Sequence, residues 1–283
     1  MLNIFIAGIL WGSIGIFVNE LNSLGADSSL TCFLRMLSAF AIMFSFAFIK
    51  HGRKIFIHDK KVILNCALLG LISQGLFNIF YTASIKLNGV GIACVLMYTA
   101  PIFTAIASRI FFHEKFSRLK LLSLITNIFG CVLTVTGGNI FDNSNFNLIG
   151  ILAGIGTGFC YGMSAIFGRQ AGEKTDSLIV SAYSYLFALI FLSIFSRPDF
   201  NFNAKILGIG FLYGLVPTSI AYVIYYNGLK KIQDTSKVPV IASIEPVTAV
   251  LVGILLYNET MNFINFIGFV IVIFSIAIMV KEK

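Results

Sequence analysis

The sequence predicts an all-α integral membrane protein, with ten transmembrane helices forming two inverted five-helix repeats around a midplane site. Three observations carry this reading. The 283 residues are 58% hydrophobic and 11% charged, with a mean hydropathy of +0.92, outside the range of soluble domains. Ten apolar segments follow one another along the chain, each close to the about 20 residues that span hydrocarbon as a helix. Finally, Tyr81, Lys86, Pro101 and Glu114 recur in order as Tyr226, Lys231, Pro246 and Glu259, each 145 residues later. Five apolar segments separate matching points, and a repeat with an odd number of crossings must sit upside down relative to its partner. Inverted halves around a midplane site are the build of a secondary transporter.

The segments are 4–21, 29–49, 62–84, 90–111, 119–137, 148–168, 178–196, 206–227, 237–257 and 263–280. A membrane barrel would instead show alternating segments of about ten residues. The first segment has neither a basic stretch before it nor a small-residue cleavage site, so it reads as a span and not as a removable signal. Polar residues at 137–147 join the halves, dividing the chain into a first repeat, 1–140, and a second, 141–283.

The net charge of +8 does not point to nucleic acid. A nucleic-acid surface gathers its basic residues on one face with aromatics between them. Here they alternate between loops. Lys50, Arg53, Lys54, Lys60 and Lys61 fill one loop, Arg109, Lys115, Arg118 and Lys120 another; Arg169, Lys174, Lys230, Lys231, Lys281 and Lys283 lie in the same set. The other set holds Lys86, Arg197 and Lys205. The positive-inside rule places the richer set, and both termini, in the cytoplasm of a multi-pass cell-membrane protein. Glu114 and Lys86 then fall on opposite faces from Glu259 and Lys231, as inversion requires. The five cysteines, Cys32, Cys66, Cys94, Cys131 and Cys160, lie apart inside apolar segments without a CxxC pair. They read as packing residues, and no metal or cofactor is expected.

Read against these spans, the motifs resemble a known family. Trp11-Gly12 stands near the start, Phe33-Leu34-Arg35 early in the second span, Tyr98-Thr99-Ala100-Pro101 in the fourth and His113-Glu114-Lys115 after it. The second half gives Glu245-Pro246 and Asn258-Glu259-Thr260. In this order on ten spans they resemble EamA-type members of the drug/metabolite transporter superfamily, over essentially the whole chain. The resemblance implies ten helices with a central cavity between the halves and alternating access. It also implies movement of amino acids, other metabolites or drugs, often outward; it names no substrate.

Glu245, near the middle of the ninth span, is the leading candidate. An intramembrane acid is costly and usually faces a cavity or a partner. It could exchange a coupling proton or meet a substrate ammonium; the plainer role is packing at a proline kink. Its first-repeat counterpart is Ala100. Pro101 and Pro246 each remove a backbone donor and free the carbonyl four residues back, at Met97 and Ala242, bending both helices. Arg35 enters the second span near its outer end, where it could snorkel, cap carbonyls and anchor the helix, or bind a substrate carboxylate. Trp11, Tyr81, Tyr98, Tyr161 and Tyr222, with Tyr225 and Tyr226, offer aromatic walls with polar tips, and Gln74 and Asn78, one turn apart, add uncharged hydrogen-bonding groups. The expected cavity lies between spans one, three, four, six, eight and nine. Gly150, Gly154, Gly158 and Gly162 form a small-residue stripe for close helix packing, echoed by Gly8 and Gly12. Glu114 and Glu259 complement the dipoles of helix starts.

An intramembrane enzyme would want clustered histidines or acids. His51, His58 and His113 all fall in loops, so no catalytic residue is assigned. A channel would want a carbonyl or charge filter, and none is visible. Among carriers, an amino-acid or amine exporter leads; a nucleotide-sugar or other organic-anion carrier is second, since Arg35 is the one basic residue well inside a span. The expected partners are a small organic substrate, a coupling proton as a candidate, and the lipid bilayer, with no nucleic acid. The chain is expected as a monomer or homodimer.

Overall fold

The computed structural model describes residues 1–115, 117–139, 147–195, 203–258 and 260–281. Glu259, Arg197 and most of the 137–147 connection therefore lie outside the described residues. Within the described residues, nine helical runs are long and apolar enough to cross a membrane. One of them, Lys60–Met97, changes direction at Gly89 (φ 82°, ψ 164°), a region of backbone space essentially reserved for glycine. It therefore divides into two helices, the second continuing through Ala100–Phe112. The ten helices are α1 (Leu2–Ser23), α2 (Ser28–Ile55), α3 (60–88), α4 (90–112), α5 (Arg118–Thr136), α6 (Leu148–Gly172), α7 (Ser177–Phe195), α8 (Ala204–Leu229), α9 (Thr235–Tyr257) and α10 (Phe263–Lys281). The expected fold class holds.

Large apolar side chains point outward: Ile49 is 80% exposed, Leu255 77% and Phe263 75%. Patches of this size on a protein exterior belong against an apolar solvent. The six ion pairs among the described residues join connecting segments and helix ends on the face that carries the N-terminus.

The repeat is written in the backbone as well as in the four residues. The helical hydrogen bonding widens to π form at Leu69–Leu76 in α3 and again at Leu215–Ile220 in α8, nearly 145 residues apart. α4 is interrupted at Tyr98–Thr99 and α9 at Ser243. The first halves end at Met97 and Ala242, whose carbonyls the two prolines cannot bond. Pro101 and Pro246 themselves sit in the first turn of the second halves, where a missing N–H costs little. Finally, α4 and α9 both terminate on a left-handed residue, His113 (φ 56°) and Asn258 (φ 54°).

Glycines let the interruptions be packed tightly. A methyl group added to Gly8 would lie 2.7 Å from the Ala242 carbonyl oxygen, and one on Gly12 would lie 2.8 Å from that of Glu245. The mirror contacts place Gly158 against the Leu96 carbonyl, 2.8 Å, and Gly162 against that of Ala100, 2.7 Å. Thus α1 lies on the break of α9 as α6 lies on the break of α4. Gly154 packs likewise on Leu96 and Ser84. Gly158→Val is expected to destabilise by about 3 kcal/mol, because the backbone carbonyl cannot yield. Gly208→Val, at a site with open space, is expected to stay within about 1 kcal/mol. Thermal unfolding in detergent compares them; equal effects would contradict the packing.

Candidate functional site

Between the halves lies a cavity of about 210 Å³, lined along α1 by Ile14, Val18 and Asn22, along α2 by Ser28, Cys32 and Arg35, and along α3 by Asn78, Tyr81 and Thr82. Phe77, Met97, Tyr213 and Glu245 also line it. These positions run from mid-helix to the helix ends opposite the N-terminus, so the cavity extends toward that face. A smaller inner chamber of about 50 Å³ continues it, sharing Ile14, Arg35, Phe77, Met97 and Glu245 and adding Trp11, Ser73, Gln74, Tyr161 and Tyr222.

Glu245 lies in the first turn of the half-helix Ile244–Tyr257, where the N-terminal backbone N–H groups favour a carboxylate. The Tyr161 hydroxyl donates to Glu245 Oε2 at 2.8 Å. Arg35 does not snorkel. It is 6% exposed, its Nε donates to Thr218 Oγ1 at 3.1 Å, and its guanidinium lies 5.2 Å from the centre of the Tyr213 ring. Thr218 belongs to the π segment of α8, so Arg35 both ties α2 to α8 and faces the cavity. A basic group cannot reach lipid headgroups from this helix face, because α8 covers it. Among the described residues no ion pair joins Arg35 to Glu245, though both line the two chambers.

Of the aromatic walls read from sequence, Trp11, Tyr81, Tyr161 and Tyr222 line the two chambers, as do Gln74 and Asn78. Tyr98 does not line them; it is buried with Ala105, Leu124 and Val247. The unexpected wall is α2, which supplies Cys32 and Arg35; the N-terminal turns of α2 lie beside α3, where Cys32 Sγ donates to Asn78 Oδ1 at 3.1 Å.

Toward the N-terminal face the cavity ends on a plug of rings. Trp11 packs at 5.0 Å from both Tyr222 and Tyr225 and at 6.3 Å from Tyr161. Below it, Tyr226 is fully buried, 5.7 Å from Tyr222, whereas its repeat counterpart Tyr81 lines the open cavity. The same residue is solvent-facing in one half and shut in the other, which is how inverted halves make a one-sided opening.

A polar cluster seals that face further. Glu114 takes 2.6 Å from Arg169 Nη1 and accepts from the backbone N–H groups of Thr235 at 2.8 Å and Ser236 at 3.2 Å. Glu114 therefore caps α9, not the helix that follows it; α5 is capped by Ser117. The correction follows from the left-handed turn at His113, which aims the next residue across to the second repeat. Arg169 also donates to Thr235 Oγ1 at 2.5 Å and stacks 4.2 Å from the Phe112 ring centre. Beside it Lys120 pairs with Asp234. Burial pushes the Asp234 carboxyl up, but hydrogen bonds from Lys120 and Ser236 hold it below the usual carboxylate range.

The comparisons agree with this architecture. The sequence profile of the EamA-like transporter family matches residues 1–136 and 148–281. An uncharacterized transporter of Archaeoglobus fulgidus is 24% identical, over 99% of this chain and 95% of that protein. The uncharacterized inner membrane transporters YicL of Salmonella typhimurium and YedA of Escherichia coli K12 are 23% and 26% identical, over 98% and 99% of this chain and 94% and 90% of theirs. A solved crystal structure superposes with a TM-score of 0.82 at 15% identity, covering 98% of this chain and 96% of that one, which bears on the fold alone.

Proposed function

The chain belongs to the EamA-like transporter family, and on that premise we propose that it is a secondary active carrier exporting a small amino acid or amine by alternating access. The observation that supports this most is the one-sided cavity ending at the interrupted helices. A channel would need a continuous path, whereas here the aromatic plug and the Glu114–Arg169 cluster close one face while the other is open. Glu245 and Arg35 supply the charges a zwitterion or cation would meet at the midplane, and Glu245 is the natural carrier of a coupling proton. The organic-anion reading has Arg35 in its favour, but its charge is offset by Glu245 in the same chamber.

In proteoliposomes, preloaded unlabelled substrate from a panel of amino acids and amines is expected to accelerate uptake of labelled substrate, with saturation. Flux that rises linearly with concentration and ignores preloading would reject a carrier. We further place the chain in the cell membrane with both termini cytoplasmic. With native cysteines replaced, Lys86→Cys should react with an impermeant maleimide from outside and Lys54→Cys only after permeabilisation. The reverse pattern would invert the topology.

A further inference from the structure

We propose that the inner chamber beside Trp11, Ser73 and Gln74 is a carboxylate subsite, so that the site as a whole selects a zwitterion over the corresponding amine. The inference rests on the transport reading and deepens it by orienting the substrate. Trp11, Ser73 and Gln74 are 4%, 4% and 1% exposed, and Trp11 Nε1, Ser73 Oγ and Gln74 Nε2 have no hydrogen-bond partner. The Gln74 amide lies beside the Tyr222 hydroxyl. All three residues line the same chamber with Arg35.

Buried polar groups are nearly always satisfied, and an orphan calls for an occupant. Chemistry identifies the occupant. An indole N–H can only donate, an amide nitrogen donates, a hydroxyl does either, and the guanidinium donates and stays cationic. Three orphans, of which the Ser73 hydroxyl alone can also accept, and the Arg35 guanidinium beside them describe a site for an anionic oxygen group, with Glu245 in the same chamber left for the cationic end. Such a gathering suits a planar carboxylate. A carboxylate in this chamber would leave none of these donors bare.

The ammonium end falls on the other side. Tyr161 donates to Glu245 Oε2, leaving Oε1 free to accept from a cation. Glu245 lines both chambers, so a carboxylate held by Trp11, Gln74 and Arg35 places an adjacent ammonium within its reach, with the side chain directed into the larger cavity. The π segment Leu69–Leu76 carries Ser73 and Gln74 and rotates both toward the chamber, the use to which such bulges are commonly put.

The test is counterflow in proteoliposomes with the twenty protein amino acids and the amines formed by their decarboxylation, in wild type, Gln74→Leu and Trp11→Phe. Melting temperatures in detergent confirm that each variant is folded; Gln74→Glu, similar in size, serves as a second variant and should repel the carboxylate. The expected result is preference for an amino acid over its amine of at least about tenfold, falling to about threefold or less in the variants because amino-acid exchange drops further than amine exchange. Amines exchanged as well as amino acids in wild type, or full preference retained in all variants, would overturn the subsite and leave the carrier intact. Saturable counterflow with amines alone would overturn the zwitterion assignment. No counterflow with any solute would remove the carrier reading and the subsite with it.

Discussion

Glu245→Gln is expected to insert and melt like the wild type yet lose roughly ten- to hundredfold in substrate exchange, the range for removing one charged hydrogen-bonding partner. The amide keeps the size of the side chain and can still accept from Tyr161. It cannot exchange a proton, and it offers an ammonium no countercharge. Because the carboxylate stands in the first turn of a half-helix, the substitution also removes a favourable dipole interaction, worth about 0.5 kcal/mol, too little to unfold the bundle. If Glu245 handles the proton alone, exchange persists while pH-dependent net flux is lost; if it meets substrate, both fall. Flux unchanged across pH would return Glu245 to a packing role.

Glu114→Ala should act on the other face. It leaves Arg169, 16% exposed at its side chain, without its principal countercharge and removes the acceptor of the Thr235 backbone N–H, while Asp234 still caps that of Ser236. Breaking a largely buried pair costs about 3 kcal/mol, and here the cost is borne mainly by the state closed on the N-terminal face. The conformational balance is therefore expected to move toward opening on that face by about a hundredfold. Arg169→Ala should do the same, and the double variant should add little, since the two share one network. Accelerated labelling of residues below the plug, at unchanged expression, measures the shift. Additive effects would mean that the groups act separately.

Much of this arrangement is legible in the sequence. Apolar length and basic-loop alternation mark the ten helices, and the 145-residue frame marks the inversion. The two prolines locate the helix breaks to within a few residues, because a missing N–H has a fixed consequence four residues back. The rest is hidden for stated reasons. The π segments leave no compositional mark, since they change hydrogen-bond register and not residue type; Pro217 inside the second one is the sole hint. Arg35 near a helix end fits snorkelling equally well until the covering helix is known. Tyr98 sits one residue past Met97, and at an interrupted turn one residue decides between the cavity and the packing cluster. Arg169 reads as an ordinary loop cation, although a Phe112 ring, the Glu114 carboxylate and the start of α9 converge on it from two other segments.

Repeat symmetry makes reciprocity the decisive property. Cys32 lines the open cavity, and its counterpart 145 residues on, Ser177, is 2% exposed on the closed side, donating to Asn227 Oδ1 at 2.7 Å. In one protein Cys32 is kept as the sole cysteine; in another, Ser177→Cys is the sole cysteine. Each is labelled with an impermeant maleimide in membranes of known sidedness, with and without Glu114→Ala. Alternating access of inverted halves requires that Glu114→Ala slow labelling of Cys32 from the Lys86 face while speeding labelling of Ser177→Cys from the N-terminal face, by comparable factors. Labelling rates that rise together would contradict it, because both sides would then be open at once.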